Sequence, residues 1–208
     1  MATLVANGVA RELGDVIQGL PDDPVDRQAL EQILIGEAYH REGNLDKAQE
    51  AYTRALEHQP DMTKAVAFLA MVEIHRGNLQ NVGSSIQNAW PLGAQALELA
   101  LRELEHGVPD FEANRVAGQI LHTLARWEGE LTWRDAKELG EEQVNARIKE
   151  IEQYYAEAET YLRSALLLNP SDADLRDLLA ANLYRQGVHR STEAFEILQD
   201  GLALDPFN

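Results

Sequence analysis

The feature that most constrains this chain is a window of 34 residues, 29–62, with small, aromatic and helix-ending residues at fixed spacings. Gly36 and Ala48 are small enough to let two helices cross closely. Gly43 suits the left-handed conformation that ends a helix, and Pro60 disfavours continuation of a second one. The window therefore predicts two antiparallel helices joined by a short turn. Its defining residues are Gly36, Tyr39, Gly43, Ala48, Tyr52, Ala55 and Pro60.

Parts of this pattern return at later positions of the chain. Gly77 follows Gly43 by 34 residues, and the segment REGNL at 41–45 returns as HRGNL at 75–79. Near the end of the sequence the corresponding spacings recur, with about two extra residues in the turn GVHRST at 187–192. The residues concerned are Ala158, Leu162, Ala165, Pro170, Gly187, Ala194 and Pro206. A repeat of about this length predicts stacked helical hairpins.

In its length and in the order of its residue types, the 29–62 window resembles a tetratricopeptide repeat. The resemblance implies an all-α fold, an α-solenoid of about four tetratricopeptide-like hairpins with an N-terminal helix and an irregular middle. We expect one domain over 23–208, with hairpins at about 24–60, 62–107, 110–170 and 172–206. No Pro-, Gly- or Ser-rich linker separates these hairpins.

The middle of the chain breaks the period. We interpret ARWEGE (125–130) as the end of another first helix, which starts near Asp110 and is capped by Gly129. Its partner is the long helical pattern from about Glu141 to Leu168, after the insertion ELTWRDAKELG (130–140). Pro91 is a second irregularity. Either a back helix is broken there, which we favour, or an extra helix occupies 92–106.

Apolar stripes at both ends of the sequence raise the question of self-association. Residues 1–22 predict an amphipathic helix that needs a surface to pack on. At the other end, a helical stripe lacks a cover within its own hairpin. We therefore predict a homodimer, and the alternative is a monomer in which each stripe packs on a neighbouring hairpin. The predicted interface residues are Leu4, Leu13, Ile17, Phe195, Leu198 and Leu202.

Charge and cysteine content exclude several classes of function. The chain has 35 acidic and 18 basic residues, a net charge of −17, and it has no cysteine. Such a charge repels nucleic-acid phosphate, and the lack of cysteine excludes disulfides and thiol chemistry. The sequence has no basic leader and no apolar run of the roughly 20 residues that span a bilayer. We expect a cytoplasmic protein without membrane insertion or nucleic-acid binding.

The sequence contains no motif that predicts catalysis. A phosphate-binding loop, a dinucleotide fingerprint, a nucleophile elbow and an HExxH metal motif are all missing. Glu37 and His40 are spaced as two ligands on one helical face, but a di-iron bundle needs a second copy of that pair. We therefore predict neither a metal site nor a cofactor, and no enzyme. An active site in the irregular stretch from Trp127 to Gly140 is the alternative.

What remains is recognition of another protein. In the family, the first helix of each hairpin lines a concave groove, chiefly through its positions 2, 5, 9, 12 and 13. Transferred to this sequence, with Gly129 and Gly187 setting the register of the later hairpins, those positions give a peptide-binding groove. The predicted groove residues are Ile33, Glu37, His40, Arg41, Met71, His75, Thr123, Arg126, Trp127, Asp177, Tyr184 and Arg185.

Cationic and aromatic residues recur late in each first helix of this predicted groove. One interpretation is that they form a surface that binds carboxylates and aromatic side chains. The other is that the cationic residues only complement the helix dipole. The family's Lys and Asn clamp for acidic C-termini is not matched, because Ile33 and Glu37 occupy its places. The leading hypothesis is a non-enzymatic module that binds an unidentified peptide or protein. The alternative is a self-associating architectural protein with a groove that is empty or filled by its own N-terminal helix.

Overall fold

A computed structural model describes residues 24–80, 83–105, 107 and 109–204, and every regular element in them is helical. The predicted N-terminal helix over 1–22 lies outside these residues. The α-helices are α1 (Pro24–Arg41), α2 (Leu45–His58), α3 (Thr63–Gln80), α4 (Gly83–Glu105), α5 (Phe111–Asp135), α6 (Glu141–Leu168), α7 (Ala173–Arg185) and α8 (Ser191–Leu204). A 3₁₀ turn, Val188–Arg190, lies between α7 and α8. The predicted all-α class is confirmed.

The chain divides into two compact units, Met1–Ala96 and Leu97–Asn208. The boundary falls inside α4, and one domain over 23–208 stays a prediction. The physical reason for the division is that a separate hydrophobic cluster forms in each unit. One cluster lies among α1, α2 and α3, and the other lies among α6, α7 and α8.

In unit 1 (Met1–Ala96), α1 and α2 form the hairpin that the 29–62 window predicts. Gly43 joins them with a φ of 75°, and the Asn44 side chain accepts a hydrogen bond from the Lys47 amide at 3.4 Å. A Cβ on Gly36 would lie only 2.3 Å from Cε1 of Tyr52, so glycine is what allows the tyrosine ring into the crossing. Phe68 of α3 stacks on the same ring, with 5.0 Å between centroids.

Substitution of Ala48 tests this hairpin. Ala48 is fully buried in the unit 1 cluster, beside Tyr52 and Ala55. We expect Ala48→Leu to lower the free energy of unfolding by roughly 1–3 kcal/mol, because extra methylenes force neighbouring side chains out of their rotamers. Urea denaturation followed by circular dichroism measures this change. An unaltered midpoint would contradict the close crossing of α1 and α2.

The second hairpin departs from the sequence prediction at Pro91, where a broken back helix was expected. The first helix, α3, continues past Gly77 to Gln80, and α4 continues through Pro91 without a break. Proline removes one hydrogen bond from a helix, but packing on either side of it can hold the helix together. Here Leu92 packs against the unit 1 cluster, and Ala96, Leu99 and Ala100 are buried farther along α4.

In unit 2 (Leu97–Asn208), the first helix also runs farther than predicted. We expected α5 to end at Gly129, but that glycine lies inside the helix, which ends at Asp135. A Cβ on Gly118 would lie 2.7 Å from two atoms of Leu162, so Gly118 and Leu162 repeat the crossing of Gly36 and Tyr52. Aligned on that crossing, Ala125 takes the place of Gly43. Alanine has no preference for the left-handed conformation, so the helix continues.

This alignment shows what makes the middle irregular. Gly36 and Tyr52 are 16 positions apart, whereas Gly118 and Leu162 are 44 positions apart, a difference of 28 residues. In the α1–α2 hairpin, only Asn44 lies between Gly43 and the start of α2. At the corresponding place in the α5–α6 hairpin, after Ala125, lie residues 126–154. We call this segment the arm. It consists of the end of α5, a turn at 136–140 and the start of α6.

Candidate functional site

In unit 1 the first helices bring together several predicted groove residues. His40 of α1 and His75 of α3 face each other, with 2.6 Å between Nε2 of His40 and Nδ1 of His75. Glu37 forms an ion pair with Lys64 at 3.0 Å. Burial and the neighbouring His75 lower the pKa of His40, and Glu37 opposes this shift. The arrangement is a half-buried polar cluster across two adjacent first helices.

The remaining predicted groove residues of unit 1 have different environments. Arg41 is exposed, and Met71 is half-buried. Ile33 is only 1% exposed and belongs to the hydrophobic cluster, so its place in the predicted groove is a correction. Its position faces α2 and α3, because the apolar stripe of α1 is wide enough to include it.

In unit 2 the predicted register is wrong by about one helical turn. It relied on Gly129, whereas Gly118 marks the crossing with Leu162. Of the residues that this register placed in the groove, Thr123 and Trp127 are buried, at 7% and 4% exposure, and neither offers a contact surface. Thr123 donates its hydroxyl to the Gln119 carbonyl at 2.8 Å. Arg126 is half-buried, with Glu130 at 4.0 Å.

A sequence signal for the correct register exists and was missed. The segments GEAYH (36–40) and GQILH (118–122) share a glycine followed four positions later by a histidine. His122 therefore corresponds to His40. Its side chain is 8% exposed, lies 3.4 Å from the Asn182 amide nitrogen through Nδ1, and meets the Tyr155 ring edge-on at 5.7 Å. Burial, together with Arg126 and Arg185, lowers the pKa of His122 to about 4.

A hydrogen-bond network around Glu159 connects α6 to α7 and to the 3₁₀ turn. Glu159 accepts hydrogen bonds from Arg163 at 2.8 Å, from Gln186 at 2.9 Å and from Arg190 at 2.8 Å. Burial by itself would raise the pKa of Glu159, but these three donors outweigh it and lower the pKa to about 2. The network holds the end of α7 and the following turn in place beside the arm.

Beside the arm lies a pocket of about 540 Å³ within unit 2. Its wall from α5 and α6 is mainly apolar and includes Trp133, Val144, Ile148 and Ile151. Its wall from the end of α7 and the 3₁₀ turn is polar and consists of Arg185, Gln186 and His189. The pocket forms where the chain departs from a regular repeat twice. The arm provides most of one wall, and the end of α7 together with His189, from the extra residues after Gly187, provides the other.

Exposure and unused hydrogen-bonding groups distinguish this pocket from an ordinary surface hollow. Trp133 is 85% exposed and Ile148 is 43% exposed, so carbon surface faces solvent at its rim. Thr132, which lines the pocket, is 5% exposed and its hydroxyl has no hydrogen-bond partner among the residues that the structure describes. Tyr155 and Glu152 also line the pocket. The remaining lining residues are Gly129 and Ala136.

The other predicted residues of unit 2 are on its surface. Asp177, Tyr184 and Arg185 are exposed on α7, and Arg185 alone of these three lines the pocket. On α8, Phe195, Leu198 and Leu202 are 59%, 38% and 54% exposed. The predicted interface residues Leu4, Leu13 and Ile17 lie outside the described residues.

Two kinds of feature are absent from the described residues. No group of three or more His, Cys, Asp or Glu side chains in that part of the chain is arranged to hold a metal ion. None of the helices there combines the length and apolar character that crossing a bilayer requires.

Comparisons with known proteins identify the repeat. The family model of the tetratricopeptide repeat matches residues 29–62, and none of the curated proteins matches the chain. A thermophilic tetratricopeptide repeat protein of Thermus thermophilus is similar in structure. The identity is 18%, the alignment covers 86% of this chain and 75% of that one, and the TM-score is 0.55.

Two further solved structures align over most of the chain with TM-scores below 0.5, and the fold assignment does not depend on them. MamA of MSR-1 is 16% identical over 97% of this chain and 92% of its own, with a TM-score of 0.42. PilF of Pseudomonas aeruginosa is 19% identical over 85% of this chain and 78% of its own, with a TM-score of 0.40. The chain therefore contains a tetratricopeptide repeat at residues 29–62 and has the helical-repeat fold of tetratricopeptide proteins.

Proposed function

We propose that the protein is a non-enzymatic interaction module that holds a segment of a partner protein in the pocket beside the arm. The tetratricopeptide fold is in general a protein–protein interaction fold, and proteins of this kind are generally scaffolds rather than enzymes. The observation that carries the proposal is the pocket itself, which has an exposed aromatic and aliphatic rim next to fixed polar groups. We place this activity in the cytoplasm, without nucleic-acid binding.

The composition of the pocket supports a protein partner. Interface centres are enriched in Trp, Tyr and Arg, and Trp133, Tyr155 and Arg185 all line this pocket. The stretch from Trp127 to Gly140, which the sequence suggested as an alternative active site, contributes Thr132 and Trp133 to the same wall. Its residues therefore take part in the proposed binding surface.

Selection from a displayed library of random 12-residue peptides tests the proposal. Peptides selected on the intact protein should lose at least tenfold in affinity when Trp133 is replaced by alanine, because exposed aromatic anchors dominate such interfaces. Trp90→Ala is the matched control, since Trp90 is 39% exposed in unit 1 and lies outside the pocket. Peptides that respond to Trp90→Ala and not to Trp133→Ala would place the binding surface elsewhere.

A second candidate function, self-association, is supported by the exposed stripe on α8. Phe195, Leu198 and Leu202 present three large apolar side chains on one helix. We expect light scattering at micromolar concentration and moderate salt to give about twice the chain mass of 23.2 kDa. Salt is needed because a net charge of −17 opposes association.

Leu198→Glu should shift such a dimer to the monomer mass, because a carboxylate would be buried in the interface. Leu167→Glu is the control, since Leu167 is 82% exposed on α6 and is not part of the α8 stripe. A monomer mass for the unsubstituted protein would end this candidate function and leave the interaction module in place.

A further inference from the structure

The pocket beside the arm has a mainly apolar side, formed by α5 and α6, and a polar side with nitrogen donors. We infer that its occupant is a hydrophobic peptide segment carrying a single carboxylate. The carboxylate would lie against Arg185 and His189, and the apolar side chain would lie against Trp133 and Ile148. This inference rests on the proposed function, since it specifies the chemistry of the partner that the same pocket holds.

Arg185 is the cationic group available for such a carboxylate. Most arginines around it already have acidic partners: Arg163 with Glu159 at 2.8 Å, and Arg190 with the same residue at 2.8 Å. Arg185 is exposed and forms no ion pair within 4.0 Å in the described part of unit 2. A guanidinium binds a carboxylate through two parallel hydrogen bonds, which also fixes its orientation.

The backbone after α7 brings His189 to the same wall. Gly187 has a φ of 128°, a conformation that side chains rarely allow, and the chain then forms the 3₁₀ turn. A Cβ on Gly187 would lie 3.1 Å from Nδ1 of His189, so the imidazole folds back over this glycine. The side chain of Gln186 already forms an internal hydrogen bond, since its amide nitrogen donates to Asn182 at 2.8 Å. Arg185 and His189 are thus the two groups of this wall left to contact a ligand.

The rest of the lining limits the occupant to a segment with few charges. Glu152 is the acidic residue among those lining the pocket, and it would repel a run of acidic residues. A volume of about 540 Å³ lies within the range of roughly 300–1,000 Å³ that pockets for small ligands occupy. The space therefore suits one or two aliphatic side chains next to one carboxylate, as in a segment that contains Leu beside Asp, Glu or a free C-terminus.

The test uses two dipeptide probes that differ only in the C-terminal group: N-acetyl-leucyl-leucine, which carries a carboxylate, and its uncharged C-terminal amide. Binding to the full chain is followed by nuclear magnetic resonance, through the indole N–H signal of Trp133, which Trp133→Phe identifies. We expect the acid to bind at least fivefold more tightly than the amide. Arg185→Gln should abolish that difference while leaving amide binding unchanged, and Arg185→Lys should retain only part of it. Arg54→Gln, which alters an exposed arginine of unit 1 outside the predicted groove, is the matched control and should change nothing.

Each other outcome overturns a defined part of the argument. Equal binding of acid and amide would overturn the inference about the carboxylate, while the proposed function would stand. If neither probe shifted the Trp133 signal, the pocket would be removed from the proposed function as well. Octanoate is the third probe, and tighter binding of this acyl chain than of the dipeptide would overturn the assignment of a peptide occupant.

Discussion

Gly118→Ala should lower the free energy of unfolding of unit 2 by roughly 1–3 kcal/mol, the cost typical of overpacking a helix crossing. This direction is opposite to the usual one, because alanine in place of a glycine inside a helix normally stabilises it by up to about 1 kcal/mol. At Gly118 the added Cβ would lie 2.7 Å from Cγ and Cδ2 of Leu162, and 3.1 Å from the backbone nitrogen of the same residue. Leu162 is fully buried, so its side chain cannot move aside freely.

Gly129 provides the matched control within the same helix. A Cβ at that position would have no atom within 4 Å, so Gly129→Ala should stabilise α5 by about 0.5–1 kcal/mol. Both variants can be measured by urea denaturation, with circular dichroism and the fluorescence of buried Trp127 as signals. Opposite signs for the two substitutions would support the register in which Gly118 corresponds to Gly36. If Gly118→Ala stabilised the protein as Gly129→Ala does, that register would be incorrect.

Acidification from pH 6.5 to pH 4 should cost unit 2 on the order of 2–3 kcal/mol through His122 alone. Burial, Arg126 and Arg185 lower the pKa of this histidine to about 4, against an ordinary value of 6.5. A histidine with a lowered pKa is neutral in the folded state while the unfolded chain already binds a proton. Its contribution is therefore fully present above pH 6.5 and is lost progressively down to pH 4.

His122→Gln removes this titration and should flatten the difference in stability between about pH 7 and about pH 4.5. Protonation of carboxylates on a chain with net charge −17 also changes stability in this range, but that effect is common to the two proteins and cancels in the comparison. His58→Gln, at an exposed position of α2, is the control and should preserve the original pH dependence. An identical pH dependence for His122→Gln and the unsubstituted protein would show that His122 is not buried in neutral form.

The peptide-binding groove stays a prediction, and the structure gives its residues different environments in the two units. In unit 1, the spacing of the matched repeat led to Glu37, His40 and His75, and these side chains do lie together on α1 and α3. In unit 2, Thr123 and Trp127 of the predicted groove are buried, and Trp127 was included because Gly129 rather than Gly118 was used to set the register. Arg185 is the predicted residue that belongs to the pocket, although it was expected in a groove with different neighbours.

Local sequence determined the helical class, the α1–α2 hairpin and the turn at Gly43, because each depends on residues close together in the chain. Glycine in a left-handed turn and a small residue opposite a tyrosine are constraints that a window of 34 residues already contains. The pocket was decided by tertiary structure. The pocket forms only if the arm lies beside the turn after Gly187. The arm lengthens its hairpin by 28 residues relative to the 29–62 window, and Gly187 is more than 30 positions from the last residue of the arm. Packing of α5 on α6, and of both on α7, sets that distance, and no spacing along the chain encodes it.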